Sequence, residues 1–563
     1  MFSSTRKGLF ALFLFSFSLL TLTSCSTVSN WLVFSPVPIH PLTEQEQQQF
    51  NQNKNLGQLD FTLPELASKR ALVNNRRNFT AYRDQGEILL QMNSATEIRL
   101  TINGQAIKLQ PSAHLGTQLG QYIKLDISKF TRDGLNQLAV TSVQPLGAKV
   151  RLVIPYASLQ QGTPEQVGFS SAKLAQVDKM INDEIAQGFP GAVLVVAKNG
   201  KIIKETAYGY ANRYHTDGSA LAKPEPMQTT TVFDLASNTK MYATNYAIMH
   251  LVSLGQLDIN LPVASYLPEY QGDGRDTRLV SDLLQHNAGY DPEVHFFNPD
   301  NKHGAEFYSI QRDTTIDLLT SKVPFARPRG GKAVYSDIDY MLLGLIIERI
   351  TGMVQDQYLE QFLYRPMGLN NTVFNPLQKG ISLNNIAATE LAGNSRGGRV
   401  SFPANQVGVI RGHVHDEKAR YSLGGVAGHA GLFSTAKETA QLANLALQGG
   451  YGLSKVFDKA IIQQFTRPSI ADYTVGLGWR TATAGELSWH FGAYASDYAF
   501  GHTGWTGTVT VIDPYYDLII VLLTNKKHSP IISEANNSYY FTGDRFETGM
   551  YGSIMTKIYQ AMR

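Results

Sequence analysis

The stretch Phe233-Asp-Leu-Ala-Ser-Asn-Thr-Lys240, FDLASNTK, places a serine three residues before a lysine. Residues three apart share one face of a helix, so a helical segment would hold the amine of Lys240 beside the hydroxyl of Ser237. A serine hydroxyl is a poor nucleophile until a neighbouring base accepts its proton. The spacing therefore predicts a nucleophile with its base, provided that the segment is helical.

The same Ser-x-x-Lys spacing occurs three more times, at Ser4 and Lys7, at Ser170 and Lys173, and at Ser434 and Lys437. Ser4 lies in a leader segment, and Ser170 and Ser434 each precede a helical pattern and are expected to be N-caps. Ser237 differs because apolar residues precede it and it opens the helical pattern SNTKMYATNYAIMHLVSLG. Backbone amides and the dipole at a helix N-terminus favour developing negative charge, which suits a nucleophile.

Two later motifs support the interpretation of Ser237 and Lys240 as a nucleophile and its base. Tyr335-Ser-Asp337 lies in a loop that leads into an apolar helix, and His502-Thr-Gly504 leads into a strand. The three motifs in this order resemble the serine β-lactamase and penicillin-binding family of class C type. The segments TVFDLASNTK, GQLDINLPVASYLPEY, LLQHNAGY and GGVAGHAGLFSTAKETAQLA resemble the same family, over about residues 160–560.

This resemblance implies an α+β fold, an antiparallel sheet with helices, and acyl transfer through a covalent acyl-enzyme. Ser237 would attack a carbonyl, Lys240 and Tyr335 would share the proton transfers, and water would complete the reaction. The backbone N–H groups of Ser237 and Trp505 would form the oxyanion hole. Thr503 and Gly504 would line the substrate, and no metal or cofactor is implied. The alternative for Tyr335 is a tyrosine that packs at the start of a helix.

The chain departs from the family pattern at two positions. Asp337 stands where the family usually has Asn, and a carboxylate cannot donate a hydrogen bond to a substrate carbonyl. Asp337 could instead pair with Lys240 and raise the pKa of the lysine, which would make Lys240 a less certain base. His502 replaces the usual Lys, as in certain D-alanyl-D-alanine carboxypeptidases of the family, so we expect a substrate-facing charge that depends on pH.

The histidine-rich segment RGHVHDEKARYSLGGVAGHAG allows three interpretations. His413, His415, Asp416 and His429 supply enough donors for a metal site, but no fixed ligand spacing such as His-Glu-x-x-His is present. The segment could also form a wall of the substrate cleft. Hydrogen bonds that brace a loop are the interpretation that we favour, so no metal ligand is predicted.

The start of the chain predicts export. Arg6 and Lys7 precede the apolar run LFALFLFSFSLLTL, which is short for a membrane span and typical of a secretory signal. The run ends at Leu22-Thr-Ser-Cys25, which resembles the bacterial lipoprotein box, in which the cysteine is lipidated. A buried thiol is the alternative for Cys25, the one cysteine of the chain. Ser26, rather than Asp, then implies a lipid anchor in the outer membrane, on the periplasmic side.

Composition and pattern divide the 563 residues into four segments. A signal peptide at residues 1–25 is followed by a polar tether at 26–57. Residues 58–156 show short strands, including a hairpin at Asn103-Gly104, and predict a small all-β sandwich that acts as a spacer or binds carbohydrate. Residues 157–563 would form the hydrolase domain, whose first and last strands meet in one sheet. The net charge of +3 and the absence of basic runs after the leader argue against nucleic-acid binding.

These observations predict a lipid-anchored serine hydrolase that resembles the penicillin-binding protein 4B group and acts as a D-alanyl-D-alanine carboxypeptidase on peptidoglycan stem peptides. An esterase or D-amino-acid amidase of the same fold, acting on small acyl compounds, is the alternative that Asp337 favours. A non-catalytic cell-wall binding lipoprotein is a third possibility, and β-lactamase activity is a fourth, although no feature of the sequence predicts the fast deacylation that it requires.

Overall fold

The computed structural model describes residues 38–44, 46–48, 55–63, 75–92, 94–109, 122–292, 294–532 and 541–562. The predicted signal peptide, Cys25 and most of the predicted tether lie outside the described residues. No helix in these ranges is long and apolar enough to cross a membrane.

Two antiparallel sheets form the N-terminal region. Their strands are β1 (Ile39–Pro41), β2 (Leu59–Leu63), β3 (Arg76–Ala81), β4 (Glu87–Met92), β5 (Glu97–Ile102), β6 (Gln105–Leu109), β7 (Tyr122–Asp126), β8 (Gly134–Gln144) and β9 (Val150–Ile154). One sheet has the order β1-β7-β4-β9-β2 and the other β3-β8-β5-β6. Alternate side chains of both sheets, such as Ile88, Leu100 and Leu152, are fully buried in one core. The predicted sandwich and its Asn103-Gly104 hairpin are confirmed, and both turn residues have positive φ.

The remaining strands belong mainly to one large sheet. They are β10 (Gln160–Gln161), β11 (Gly191–Lys198), β12 (Lys201–Tyr214), β13 (Ala220–Pro226), β14 (Phe233–Asp234), β15 (Val373–Phe374), β16 (Leu432–Ser434), β17 (Gly450–Tyr451), β18 (Ser454–Lys455), β19 (Arg480–Thr481), β20 (Phe500–Gly504), β21 (Thr508–Asp513) and β22 (Leu518–Thr524). The large sheet has the order β10-β12-β11-β22-β21-β20-β19, with β13 added beside β12. Since β11 pairs with β22, the two ends of the domain meet in one sheet, as predicted.

Helices cover both faces of this sheet. They are α1 (Ser171–Ala186), α2 (Tyr246–Ser253), α3 (Val280–Leu284), α4 (Arg312–Ser321), α5 (Asp337–Thr351), α6 (Gln355–Leu359), α7 (Ala436–Gln448), α8 (Lys459–Thr466), α9 (Ser488–Phe491), α10 (Glu547–Met550) and α11 (Gly552–Gln560). Ser170 is the N-cap of α1, as predicted. The expectation that Ser434 is an N-cap is wrong, because Thr435 caps α7 and Ser434 still belongs to a strand.

The last strand shows why the sheet lies in the middle of the domain. Successive side chains of β22 alternate between two fully apolar cores, with Ile519 and Val521 on one face and Ile520 and Leu522 on the other. Each fully buried side chain of this kind is worth about 1.5–3 kcal/mol relative to the exposed state. The α1 and α11 side of the sheet holds the smaller core, and the helices from α2 to α8 hold the larger one, which includes residues on both sides of Ser237 and Lys240.

The sandwich contacts the hydrolase region through a few polar bonds. Tyr82 is completely buried, and its hydroxyl donates to Asp517 Oδ1 over 3.1 Å. Its ring lies against Gly200, where an added Cβ would come within 2.2 Å of the ring. Gly57 and Tyr156 each donate a backbone hydrogen bond to the β17–β18 hairpin. These contacts lie near residues 200, 452–453 and 517, in other parts of the chain than the Ser-x-x-Lys, Tyr-Ser-Asp and His-Thr-Gly motifs.

Candidate active site

Ser237 lies in a tight helical turn directly after β14. A 3₁₀ turn spans Ala236–Asn238, a π-helical segment spans Lys240–Asn245, and α2 continues the same helix. The predicted helical segment is therefore present, although it begins with a 3₁₀ turn, which is tighter than an α-helix, and continues as a wider π-helical segment, as is frequent at functional sites. Ala236 has a φ of 47°, a left-handed conformation that costs a non-glycine residue of order 1 kcal/mol or more.

The turn that carries Ser237 is fastened to β20 and β21. Thr508 Oγ1 donates to the carbonyl of Leu235 over 3.0 Å and accepts from Asn238 Nδ2 over 3.0 Å. Gly504 passes so close to this turn that an added Cβ would lie 2.4 Å from the carbonyl oxygen of Leu235. Only glycine fits there, so the His-Thr-Gly strand and the nucleophile are held in one fixed arrangement.

Lys240 is completely buried, and its ammonium group contacts three oxygen atoms. It donates to Ser237 Oγ over 3.1 Å, to Asp337 Oδ1 over 2.9 Å and to the carbonyl of His429 over 3.0 Å. The ammonium also lies 4.7 Å from the centre of the Tyr335 ring. The Ser-x-x-Lys spacing thus brings the two side chains together as predicted, and the expected pairing of Lys240 with Asp337 is confirmed.

The second oxygen of Asp337 leads to a further lysine that the sequence analysis missed. Lys418 Nζ lies 3.1 Å from Asp337 Oδ2 and 3.4 Å from Asp416 Oδ2. Asp416 Oδ1 in turn lies 2.8 Å from His429 Nε2. We call Lys240, Asp337, Lys418, Asp416 and His429 the buried charge row. Lys418 lies in the histidine-rich segment, in which only its neighbours were considered as candidate site residues.

The charges of this row shift the pKa values of its members. Burial would lower the pKa of Lys240, but the charges of Asp337 and Tyr335 outweigh it and raise that pKa. Burial would raise the pKa of Asp337, yet Lys240 and Lys418 hold it well below its usual range. The pKa of Lys418 is raised, because Asp416 and Asp337 outweigh its burial. Lys240 is therefore an ammonium donor to Ser237 at neutral pH, as the pairing with Asp337 led us to expect.

His502 lies in the predicted site, and its surroundings lower the pH at which it can carry a charge. Burial, followed by the charges of Arg480 and Lys240, holds its pKa well below the usual value. The imidazole is neutral near pH 7, so the expected pH-dependent charge is not present there. Its Nδ1 bonds the carbonyl of Thr503 over 2.7 Å, which leaves Nε2 as the acceptor nitrogen. Nε2 is buried without a hydrogen-bond partner among the described residues, so it can accept a hydrogen bond from a substrate.

Tyr335 lies between the buried charge row and the imidazole rings of His286 and His502. Its ring centre lies 4.6 Å from that of His286 and 6.0 Å from that of His502. The Arg480 guanidinium lies 5.5 Å from the same ring. Tyr335 contacts the Lys240 ammonium and lines the cavity of Ser237, which is a position for proton transfer as well as for packing at the start of α5.

A cavity of about 400 Å³ opens over Ser237. Its lining residues are Ser237, Tyr335, Arg480, Leu487, Trp489, His490, His502, Thr503, Gly504, Trp505, Lys526, Lys527 and Tyr551. The predicted nucleophile, the tyrosine, the His-Thr-Gly strand and Trp505 meet here, whereas Lys240 and Asp337 lie behind Ser237. The oxyanion hole and the individual catalytic roles stay predictions. Arg480, Trp489, Lys526 and Lys527 carried no motif that could have revealed them.

The histidine-rich segment divides between two networks. His415 stacks on Trp505 with ring centres 4.6 Å apart and bonds Glu390 through Nε2. His429 bonds Asp416, and His413 is exposed. Donor atoms of Asp337, Asp416 and His429 lie within 4.8 Å of one another. Both carboxylates already pair with lysine ammonium groups, a chemistry that does not suit a metal cation. The segment braces the site, and His415 supports a cavity wall.

Comparison with known proteins agrees with this geometry. The family model described as Beta-lactamase matches residues 177–540. The N-acetylmuramyl-L-alanine amidase of Bacillus subtilis (strain 168) is 51% identical over 406 residues, which are 71% of this chain and 91% of the relative. A Salmonella agona (strain SL483) protein named "Putative D-alanyl-D-alanine carboxypeptidase" is 44% identical over 418 residues, or 73% of this chain and 96% of the relative.

Solved structures share the fold at lower sequence identity. A penicillin-binding protein homologue from Caulobacter crescentus has a TM-score of 0.50 and 21% identity, and covers 70% of this chain and 99% of its own. The hydrolase EstCE1 has a TM-score of 0.50 and 20% identity, with 69% and 98% covered. The chain belongs to the β-lactamase family, within the group that includes penicillin-binding proteins, and is a serine hydrolase.

Proposed function

We propose that the protein hydrolyses the amide bond between the lactyl group of N-acetylmuramic acid and the L-alanine of a peptidoglycan stem peptide. The observation that carries this proposal is the 51% identity to the Bacillus amidase over 91% of its length. The sequence analysis favoured the D-Ala-D-Ala bond at the other end of the same peptide. Both reactions transfer an acyl group to Ser237. The acyl group in the cavity is the muramyl lactyl group in the first reaction and a D-alanyl peptide in the second.

The cavity walls support a substrate that carries a sugar. Trp489 and Trp505 line the cavity while 62% and 40% of their surfaces stay exposed. The C–H groups of a sugar ring are slightly positive and pack well against the negative face of an indole ring. Tyr551 adds a third aromatic side chain on the same cavity. An acyl group with a bulky sugar therefore finds apolar faces beside the nucleophile.

The reaction follows from the positions of Ser237, Tyr335 and Lys240. Tyr335, acting as a phenolate beside the Lys240 ammonium, would accept the proton of Ser237 as the Ser237 oxygen attacks the amide carbonyl. The Lys240 ammonium, 3.1 Å from Ser237 Oγ, stabilises that oxygen. The peptide amine leaves with the proton returned by Tyr335, and the muramyl lactyl group stays as an ester on Ser237. Water then attacks this ester, and Ser237 regains its proton. Each oxyanion-hole donor typically contributes about 3 kcal/mol to such steps.

D-alanyl-D-alanine carboxypeptidase is the second candidate. The Salmonella relative, 44% identical over 96% of its length, and the His502-Thr-Gly504 motif both favour it. His502 is neutral and cannot form an ion pair with a terminal carboxylate, so another cation of the cavity lining would have to do so. An esterase or D-amino-acid amidase activity remains the alternative for small acyl compounds. Because the chain is a serine hydrolase, the non-catalytic alternative is not retained.

One substrate with both bonds decides between the candidates. We would incubate the protein with MurNAc-L-Ala-γ-D-Glu-diaminopimelate-D-Ala-D-Ala and identify the products by mass spectrometry. Free MurNAc and an intact pentapeptide support the amidase, whereas free D-alanine and a MurNAc tetrapeptide support the carboxypeptidase. Neither product, from protein that hydrolyses p-nitrophenyl acetate through Ser237, would contradict both. The Ser237→Ala variant must lose every product.

We also propose that the protein is a lipoprotein held at the periplasmic face of the outer membrane through Cys25. The leader and the Leu22-Thr-Ser-Cys25 box support this location, which would place the enzyme beside its polymer. Replacing Cys25 by Ala should move the protein from the membrane fraction to another fraction or leave its leader uncleaved. Unchanged fractionation with outer-membrane markers would contradict the anchor.

A further inference from the structure

Two consecutive lysines line the catalytic cavity at a point that none of the sequence motifs covers. Lys526 and Lys527 follow the end of β22 and share the cavity with Ser237. The Lys527 ammonium lies 4.1 Å from the ring centre of Trp505, and the Lys526 ammonium lies 4.6 Å from that of Tyr551. Lys526 also donates to the carbonyl of Gly549 over 2.8 Å. Both cations are therefore held rigidly beside the aromatic walls.

One carboxylate serves both lysines. Asp544 Oδ1 lies 3.3 Å from Lys526 Nζ, and Lys527 Nζ bonds the two Asp544 oxygens over 2.9 and 2.8 Å. Arg480 adds a third cation to the lining, and no Asp or Glu stands among the lining residues in the described part of the chain. The cavity wall thus carries an excess of positive charge, and a low-dielectric cleft with one sign of charge attracts a ligand of the opposite sign.

Lys526 and Lys527 differ in how far neighbouring negative charge offsets their burial. Burial lowers the pKa of Lys527 to about 8, and Asp544 offsets this only in part, since the neighbouring Lys526 charge acts with burial. The pKa of Lys526 is instead raised, because the charges of Tyr551 and Asp544 outweigh its burial. An anion bound in the cavity would supply the additional negative charge that offsets the burial of Lys527.

We propose that Lys526 and Lys527 form a carboxylate-binding subsite in the catalytic cavity and select substrates that carry a free carboxylate near the scissile amide. This inference rests on the proposed function. In a stem peptide the D-glutamate after L-alanine is joined through its side chain, so its α-carboxylate is free two residues from the muramyl bond. The terminal carboxylate of D-Ala-D-Ala is the other source of the same chemistry.

Matched pairs of compounds test the subsite. The first pair is MurNAc-L-Ala-D-isoglutamate and MurNAc-L-Ala-D-isoglutamine, each with its γ-carboxyl group converted to a methylamide, so that the two compounds differ only in a free α-carboxylate against a carboxamide. The second pair is acetylated Lys-D-Ala-D-Ala and its C-terminal amide. We would measure kcat/KM with the wild type, Lys527→Met, Lys526→Met and the exposed control Lys179→Met, and Kd by calorimetry in the Ser237→Ala background. The ratio within a pair is independent of the fraction of folded protein.

We expect the wild type to prefer the isoglutamate compound about tenfold or more, as a charge-assisted bond implies. The ratio should fall toward one in Lys527→Met and stay unchanged in Lys179→Met. A wild-type ratio near one in both pairs, or a ratio that survives both lysine substitutions, would overturn the subsite. A preference confined to the second pair assigns the carboxylate to the peptide terminus.

The binding measurements separate this inference from the proposed function. Cleavage of both muramyl compounds at equal rates, together with a ratio near one in the second pair, keeps the amidase and removes the subsite. No cleavage of either compound, with tenfold tighter binding of a carboxylate form to Ser237→Ala, removes the amidase and keeps the subsite. If Ser237→Ala binds none of the four compounds, both are overturned.

Discussion

Two copies of the same four-residue pattern, Ser237-x-x-Lys240 and Ser170-x-x-Lys173, occupy different environments. Lys240 is buried and reaches Ser237 Oγ, whereas Lys173 extends to the carbonyl of Gln560 over 3.0 Å. Ser170 Oγ instead accepts from the backbone N–H of Lys173 and caps α1. The spacing is equal, so what distinguishes the catalytic copy is burial together with the carboxylate of Asp337, which keeps the ammonium in place.

The largest expected effect separates the two serines. Ser237→Ala removes the nucleophile and should lower kcat for the muramyl or peptide substrate by about 10³-fold or more. Ser170→Ala removes only a helix cap and should leave kcat unchanged while the free energy of unfolding falls by about 1 kcal/mol. Steady-state kinetics and urea unfolding of both variants measure this difference. Comparable loss of kcat in both variants would contradict the assignment of Ser237.

The second prediction removes the carboxylate that distinguishes the two copies. Asp337→Asn leaves the Lys240 and Lys418 ammonium groups buried with one carboxylate fewer, so the free energy of unfolding should fall by about 3–5 kcal/mol. Burial of Lys240 is then no longer outweighed, so its pKa falls and the loss of kcat/KM at high pH begins at a lower pH. The other titratable groups that interact with Lys240 are Tyr335, His286, His502, Asp339 and Tyr340.

Asp339 on the same helix is the matched control. It is buried, and burial together with the charge of Asp337 raises its pKa well above the usual value, whereas Lys240 and Lys418 hold the pKa of Asp337 low. Asp339→Asn therefore removes less negative charge than Asp337→Asn and should cost only about 1 kcal/mol, the value of a neutral hydrogen bond to His286. Equal destabilisation by the two substitutions would contradict the charge row.

The third prediction concerns Lys418, the member of the row with no counterpart in the sequence motifs. Lys418→Met removes the ammonium group that pairs with Asp416 and Asp337, so these two carboxylates have one cation fewer. The free energy of unfolding should fall by about 3 kcal/mol at pH 7. The pKa of Asp416, now held well below its usual value by Lys418 and His429, should rise. The loss should therefore shrink as the pH falls toward 5, because a protonated carboxyl no longer needs a cation.

A double variant tests the same point without pH. Lys418→Met with Asp416→Asn removes one charge of each sign, so its free energy of unfolding should exceed that of Lys418→Met alone. Chemical unfolding at pH 5 and pH 8 gives all the values. Additive losses in the double variant would show that the two side chains are not electrostatically coupled.

The sequence was sufficient for the parts of the site that depend on local spacing. Ser237 and Lys240 were predicted because they lie one helical turn apart, and the His502-Thr-Gly504 strand was predicted from its resemblance to the family motif. Lys418, in a short helix, and Lys527, in a loop, reach the site through the whole fold, and no local rule indicates them. The low pKa of His502 was not predicted, because burial beside Arg480 and Lys240 cannot be inferred from a motif.

The smallest expected effect tests the inert copy of the pattern. Lys173→Met removes a solvent-exposed bond to the carbonyl of Gln560 and should change the free energy of unfolding by less than about 0.5 kcal/mol, with kcat/KM unchanged at every pH. Lys240→Met, by contrast, should abolish turnover because Ser237 loses its ammonium neighbour. If Lys173→Met changed the pH profile of the reaction, Ser-x-x-Lys spacing alone would suffice for a role in catalysis. An unchanged profile would show that burial and a third, anionic partner are required.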